Sequence, residues 1–282
     1  MSECYHFENI KFNDGLLNDC IDATYIIHLE GNGRLQDIQK QLEEYHPSNE
    51  VFILFNKGYK KCKKAEYIDK APIDLIDAFL QCFQHAEENA YNNILILEDD
   101  FMFSEKIKER EHRENICKFV KSKEGKPTIY RLGCIPFIKI PYTIDFTHYK
   151  GFSMGTHAVI YNRLYRNYLM KIDKHTIHDW DIFNNFNTNS YTYYIPLCYQ
   201  LISETENSKN WGSENIVYLI AGKFLFFILQ LLGLNTSVEP GYSFFYMFSK
   251  IIFFLLVFIL IWLSFLFIQA KILIRSSRNS RK

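Results

Sequence analysis

The stretch Asn93-Ile94-Leu95-Ile96-Leu97-Glu98-Asp99-Asp100-Phe101 runs four consecutive large apolar side chains straight into three carboxylates. A continuous apolar run of branched residues predicts a strand buried on both faces, as in the parallel sheet of an α/β domain. Acids at its end are then delivered together to one edge of the sheet. Like charges this close repel, and each costs free energy to desolvate, so the cluster calls for a cation, a positive ligand or open water. The competing reading is an exposed acidic turn with Asp99 or Asp100 capping a helix.

The preceding chain favours the first reading. Ala23-Thr24-Tyr25-Ile26-Ile27-His28-Leu29 predicts a strand, Glu30-Gly31-Asn32-Gly33 a turn, and residues 34–45 a helix whose Leu35, Ile38 and Leu42 share one face. Glu50-Val51-Phe52-Ile53-Leu54-Phe55-Asn56 predicts a second strand, and Pro72 opens a helix with Ile73, Ile76, Phe79, Leu80 and Phe83 on its apolar side. The order β-α-β-α-β predicts a sheet wound in parallel, in which ligands bind outside the carboxyl ends of the strands. Glu98, Asp99 and Asp100 fall at such an end. The glycine turn lacks the third glycine of a dinucleotide fingerprint, because Gln36 stands in its place. A phosphate approaching that turn would have Arg34 as a partner; an ordinary tight turn with a surface arginine fits equally well.

Beyond the acids, residues 104–121 predict a charged helix, 128–133 a strand, 135–142 an edge strand or extended loop, 151–161 a glycine-punctuated loop feeding a strand, and 162–171 a helix. In His175-Thr176-Ile177-His178-Asp179-Trp180-Asp181 a second acidic pair stands beside two histidines. Asp179 is a natural N-cap ahead of a buried Trp180, and either Asp179 or Asp181 is a candidate general base. His175 and His178 have the residue types of a metal pair on a spacing that suits one helical face poorly.

Net charge is zero, so no overall basic field argues for nucleic acid, and the lysines between Lys57 and Lys64 are expected to form a solvated loop. The seven cysteines lack any CxxC or zinc-like spacing, which predicts free thiols in a reducing compartment. Met1 to Glu8 shows no basic and apolar leader pattern. At the other end, residues 251–268 contain no charge and only Ser264 as a polar side chain. Eighteen helical residues rise about 27 Å, close to the hydrocarbon thickness, which predicts a transmembrane helix. Lys271, Arg275, Arg278, Arg281 and Lys282 follow it and predict a cytosolic tail. Residues 216–234 form a second apolar stretch, interrupted by Lys223, that suits either a span or a helix lying in the interface. With free thiols and no leader, the expectation is a membrane hairpin with the domain on the cytosolic side. The chain thus divides into a domain over residues 1–212, a membrane-associated region over 213–270 and a basic tail over 271–282.

Three segments, in this order and spacing, resemble glycosyltransferase family 25, the lipopolysaccharide and collagen-type galactosyltransferase group. They are Tyr25-Ile26-Ile27-His28-Leu29 with Arg34; Ile96-Leu97-Glu98-Asp99-Asp100; and Gly155-Thr156-His157-Ala158-Val159-Ile160-Tyr161-Asn162-Arg163. The resemblance implies a GT-A fold, a mixed, mainly parallel sheet flanked by helices, and transfer of a hexosyl group from a sugar nucleotide such as a UDP-sugar to an acceptor hydroxyl on a glycan, lipid-linked sugar or protein. It also implies that Glu98 and Asp100 hold Mn²⁺ or Mg²⁺, that Arg34, Asp99 and His157 contact the donor, and that Asp179 or Asp181 acts as base in an inverting displacement. The chain departs from the family in its single arginine after the first strand and in its membrane tail. The alternative is a tethered scaffold that keeps the fold without turnover.

Overall fold

The computed structural model describes residues 3–177, 179–201 and 216–279. Its centre is three parallel strands: β2 (Ala23–Leu29) flanked by β3 (Glu50–Asn56) on one side and β4 (Asn93–Glu98) on the other. β1 (Tyr5–Lys11) extends the β3 edge in antiparallel register. Beyond β4 lie β7 (His148–Asn162), β6 (Thr128–Pro141) and β8 (Asn189–Tyr193), giving the order β1-β3-β2-β4-β7-β6-β8. A small second sheet pairs β5 (Phe101–Phe103) with β9 (Cys198–Gln200). The fold is mixed α/β, as expected.

The buried strands explain the continuous apolar runs. Ile94, Leu95, Ile96 and Leu97 are all fully buried, yet they feed two different cores. Leu95 and Leu97 pack with α1 (Leu35–Glu44) and α3 (Arg110–Lys121) on one face. Ile94 and Ile96 pack with α2 (Ala71–Glu88), α4 (Arg163–Leu169) and α5 (Trp180–Asn187) on the other. Removing either layer's anchors, Leu95→Ala for example, would cost about 2–5 kcal/mol. The chain leaves β2 through α1 to reach β3, then crosses the opposite face through α2 to reach β4. The carboxyl ends of β2 and β4 therefore flank a topological switch point, the crevice where open α/β sheets bind ligands.

Several expectations are corrected. The edge strand β1 has no counterpart among the predicted elements. Residues 151–155 are strand rather than loop, part of the long β6–β7 ladder. Lys64 is not solvated: its ammonium is buried against Asp74, Asn56 and Tyr5. Four of the cysteines are not free thiols, since Cys4 is bonded to Cys62 and Cys20 to Cys117. Scattered spacing hid these pairs because folding brings together residues 58 and 97 positions apart.

At the C-terminus, α6 (Ile216–Leu231) and α7 (Gly241–Asn279) follow. Among the described residues one helix, Gly241–Leu273, is long and apolar enough to cross a membrane, and its most apolar window is wholly unburied. The sixteen residues of α6 rise about 24 Å. The first turns of α7 belong to the domain: Tyr242, Phe245 and Tyr246 are buried with Cys134 and Ile135 of β6 and with Leu229 and Leu234.

Titration of the denatured, unreduced protein with a thiol reagent is expected to find three free thiols, Cys82, Cys134 and Cys198. Finding all seven would refute the pairing. Cys20→Ala, opening the 97-residue loop, is expected to lower stability by about 2–5 kcal/mol.

Candidate active site

Four carboxylates gather where β4 ends. Glu98 is the last residue of β4 and lies level with Ile27 of β2. Asp99 and Asp100 form the turn that follows. Asp181 arrives from the first turn of α5. The loop after β2 reaches over them, and its Arg34 donates through Nη1 to Asp99 Oδ1 at 2.7 Å and to Asp100 Oδ2 at 2.9 Å. Burial works against the Arg34 charge, but Asp100 and Asp99 outweigh it and raise its pKa.

The acids are not equivalent. Asp99 accepts from Leu29 N at 3.1 Å, from Asn32 Nδ2 and from Arg34, with His28 Nδ1 3.6 Å away. Burial opposes its charge, yet His28 and Arg34 prevail and hold it below the usual carboxylate range. Asp100 accepts from Arg34 and, through both oxygens, from Gln200 Nε2 at 2.9 Å. Burial outweighs these partners and pushes it up. Glu98 accepts one hydrogen bond, from Thr156 Oγ1 at 2.8 Å. Burial, then the neighbouring Asp100, push it up to about 8. Asp181 accepts from Gly155 N at 3.0 Å while its Oδ1 is buried without a partner among the described residues. Burial raises it to about 6.

Two glycines make this arrangement possible. Gly155 has φ +95°, a backbone region that side chains disfavour, and it turns its amide to Asp181. A Cβ on Gly133 would lie 1.9 Å from Cys198 O, so only glycine lets β9 pass over β6. That crossing sets Gln200 opposite Phe101 and hence beside Asp100. Tyr242, in the first turn of α7, holds Gln200 in turn: its hydroxyl accepts from Gln200 N and donates to Gln200 O, both at 3.1 Å.

The predicted site residues therefore separate. Glu98, Asp100, Asp99, Arg34 and Asp181 come together. Asp179 is spent as the N-cap of α5, accepting from Ile182 N at 2.8 Å, with Trp180 buried beside it. His157 does not reach the acids. It is 1% exposed, with Nε2 3.3 Å from Cys198 O, and burial lowers it to about 4, so it is a neutral packing residue. His178 lies outside the described residues. Gln200, Thr156, Asn32 and Tyr242 were not predicted as site residues. Only the proximity of Asn32 to Arg34, and of Thr156 to His157, signalled any of them in sequence.

Among the described residues no three His, Cys, Asp or Glu side chains converge as a ready metal cage. The donor chemistry nonetheless suits a hard cation. Oxygen ligands predominate, Asp181 Oδ1 has no partner among the described residues, and Glu98 accepts one hydrogen bond and is raised to about 8, so that an entering cation would favour its ionised form. Magnesium-type ions commonly take one or two carboxylates and complete their shell with substrate phosphates and water.

No protein-family model matches the chain, and no curated protein matches it in sequence. Among solved structures it is similar to a glycosyltransferase involved in the glycosylation of the major capsid of PBCV-1, at 12% identity and a TM-score of 0.40, over 68% of this chain and 97% of that one. It is also similar to A197 from STIV, at 13% identity and a TM-score of 0.32, over 65% and 86% of the two chains.

The raised acids predict a pH signature. Glu98, with a folded pKa of about 8, binds more protons in the folded than in the unfolded state between its ordinary value and 8, so stability falls as pH rises through that window. The buried His148 and His157, both lowered to about 4, act oppositely but only below about pH 6.5, the unfolded histidine value. Between about pH 6.5 and 8 the ligand-free protein is expected to lose Tm with rising pH, and Glu98→Gln to flatten that slope. An unchanged slope in the variant would place the charge elsewhere.

Proposed function

We propose that this chain is a membrane-anchored glycosyltransferase that moves a hexosyl group from a sugar nucleotide, a UDP-sugar by its resemblance to glycosyltransferase family 25, to an acceptor hydroxyl. The observation that carries this reading is the group of four carboxylates at the β2/β4 switch point, balanced by a single hydrogen-bonded guanidinium, that of Arg34. Such a crevice is built to take up positive charge together with an anion, which is the combination that a cation and a diphosphate bring. Mn²⁺ or Mg²⁺ held by Glu98 and Asp100 would supply Lewis-acid neutralisation of the departing diphosphate. Arg34, on the loop facing the crevice, adds a fixed positive charge for the phosphates. Asp99 holds that loop in place. Asp181, raised to about 6, is still mostly ionised at neutral pH and matched to accepting a proton. It is the base in this reading, taking the acceptor proton on the face opposite the leaving group and so inverting the sugar. Asp179, committed to its cap, is not.

The two disulfides support an oxidising compartment for the domain. The basic residues after the span support a cytosolic tail. With one span between them the two signals agree, so we assign the domain to the side opposite the cytosol and set aside the cytosolic hairpin. The second reading, a tethered scaffold without turnover, draws on Asp100 being already satisfied by Arg34 and Gln200.

A panel of sugar nucleotides offered with Mn²⁺ is expected to give hydrolysis or transfer from at least one donor. Asp100→Asn is expected to cut turnover on the order of 10²-fold or more with little change in Tm. No nucleotide binding in the presence of metal would favour the scaffold, and a large loss of Tm in the variant would make the acid structural.

A further inference from the structure

The tip of the β6–β7 hairpin carries an apolar cluster that none of the described residues covers. Ile144 is 98% exposed and Phe146 is 50% exposed, with Ile140 and Tyr142 exposed behind them. Turn tips favour glycine, asparagine or aspartate where the backbone is left-handed. Here Phe146 adopts φ +57° in the turn closed by Phe146 N to Thr143 O, a conformation that a bulky side chain disfavours. The chain thus holds a large apolar side chain where polar turn chemistry would be more stable in water.

Contacts with α7 fix which way this tip points. Lys139 on β6 lies over the ring of Tyr246, its ammonium 4.0 Å from the centroid. One turn further along α7, Lys250 lies 5.2 Å from the ring of Tyr149. Tyr149 pairs with Pro141, two residues nearer the tip than Lys139. Hairpin and helix therefore advance together. Lys250 immediately precedes the uncharged run 251–268, and the turn that carries Ile144 lies beyond Pro141 on the hairpin. Behind the tip come the exposed Tyr142, with the half-buried Lys150 over its ring, and the half-buried Lys250 beside Tyr149. Apolar tip, then tyrosine and lysine, is the sequence of chemistries met on leaving a bilayer with anionic headgroups.

We propose that the β6–β7 hairpin tip, through Ile144 and Phe146, inserts into the headgroup region of the membrane that α7 crosses, giving the domain a second contact with the lipid surface. The occupant is lipid. Asp145 sits at the tip with its carboxylate engaged by Thr147, which limits insertion to headgroup depth. A single helix lets a domain swivel and tilt; two contacts fix which face it turns to the bilayer. The proposal rests on the anchoring part of the reading above and is independent of the chemistry proposed for the acids.

The test uses the full chain in phosphatidylcholine/phosphatidylglycerol nanodiscs, with a nitroxide placed at Ile144→Cys. Two reference variants are Lys40→Cys, on the far exposed surface of α1, and Leu263→Cys within α7. The three native free cysteines are buried. The ratio of oxygen to polar nickel-chelate accessibility at Ile144 is expected to lie several-fold above that at Lys40 and below that at Leu263. A ratio equal to that at Lys40 overturns the proposal while leaving the anchor intact. Shielding of Ile144 from both reagents also overturns it, in favour of a protein partner or a second copy. A water-like ratio at Leu263 would overturn the anchoring reading and this proposal with it.

Discussion

The guanidinium of Arg34 is the contact on which the crevice depends. It draws Asp99 and Asp100 together through one nitrogen and ties the loop after β2 to the end of β4. Without it four carboxylates would face one another in a poorly solvated cleft, where repulsion and desolvation each favour proton uptake. Even with it the balance is incomplete, as the raised Glu98 and Asp181 show. The acids outnumber the cations that face them, and their raised pKa values are the consequence. On the proposed reading, that imbalance is what a bound cation would relieve.

The apolar C-terminal helix is not appended to a finished domain. Its first turn contributes Tyr242, which pins both backbone groups of Gln200, and Gln200 in turn holds Asp100. Each such bond contributes only about 1 kcal/mol net, but leaving its buried partners unpaired costs more. Phe245 and Tyr246 add apolar burial against β6. The apolar helix and the acidic crevice are consequently parts of one packed unit, and the position of the helix also sets the position of the site.

What was legible in the sequence follows from how each element is buried. β2 and β3 were recovered residue for residue, and β4 in its place, because strands covered on both faces are apolar throughout, and their turns are marked by glycine, asparagine and aspartate. β1 escaped because an edge strand such as Glu8-Asn9-Ile10-Lys11 carries solvent-facing polar side chains. The length of β6 and β7 was hidden by Pro136, Pro141, Gly151 and Gly155, which normally interrupt strands; here Pro136 sits at a register shift and Gly155 at a positive φ, while Gly151 pairs with Lys139 and Pro141 ends β6. The acids themselves were visible, because their local density is unusual. Their partners Gln200 and Tyr242 were not, since they arrive from 100 and 142 residues along the chain by way of a crossing that depends on Gly133. The disulfides failed to appear for the same reason of distance.

The sequence treated Glu98, Asp99 and Asp100 almost alike, and counting hydrogen bonds separates them. An ionised carboxylate offers about four lone-pair positions. Asp99 accepts from Leu29, Asn32 and Arg34 with His28 alongside, so its capacity is spent on holding the loop. Asp100 has given three positions to Arg34 and Gln200. Glu98 has given one, to Thr156, and Asp181 keeps an entire oxygen unpartnered. Open acceptor positions are therefore concentrated on Glu98 and Asp181, the two acids that burial raises to about 8 and about 6. On the proposed reading a cation would find those positions on Glu98 and would gain Asp100 only in competition with Arg34, which would then be available to a phosphate in place of the carboxylate.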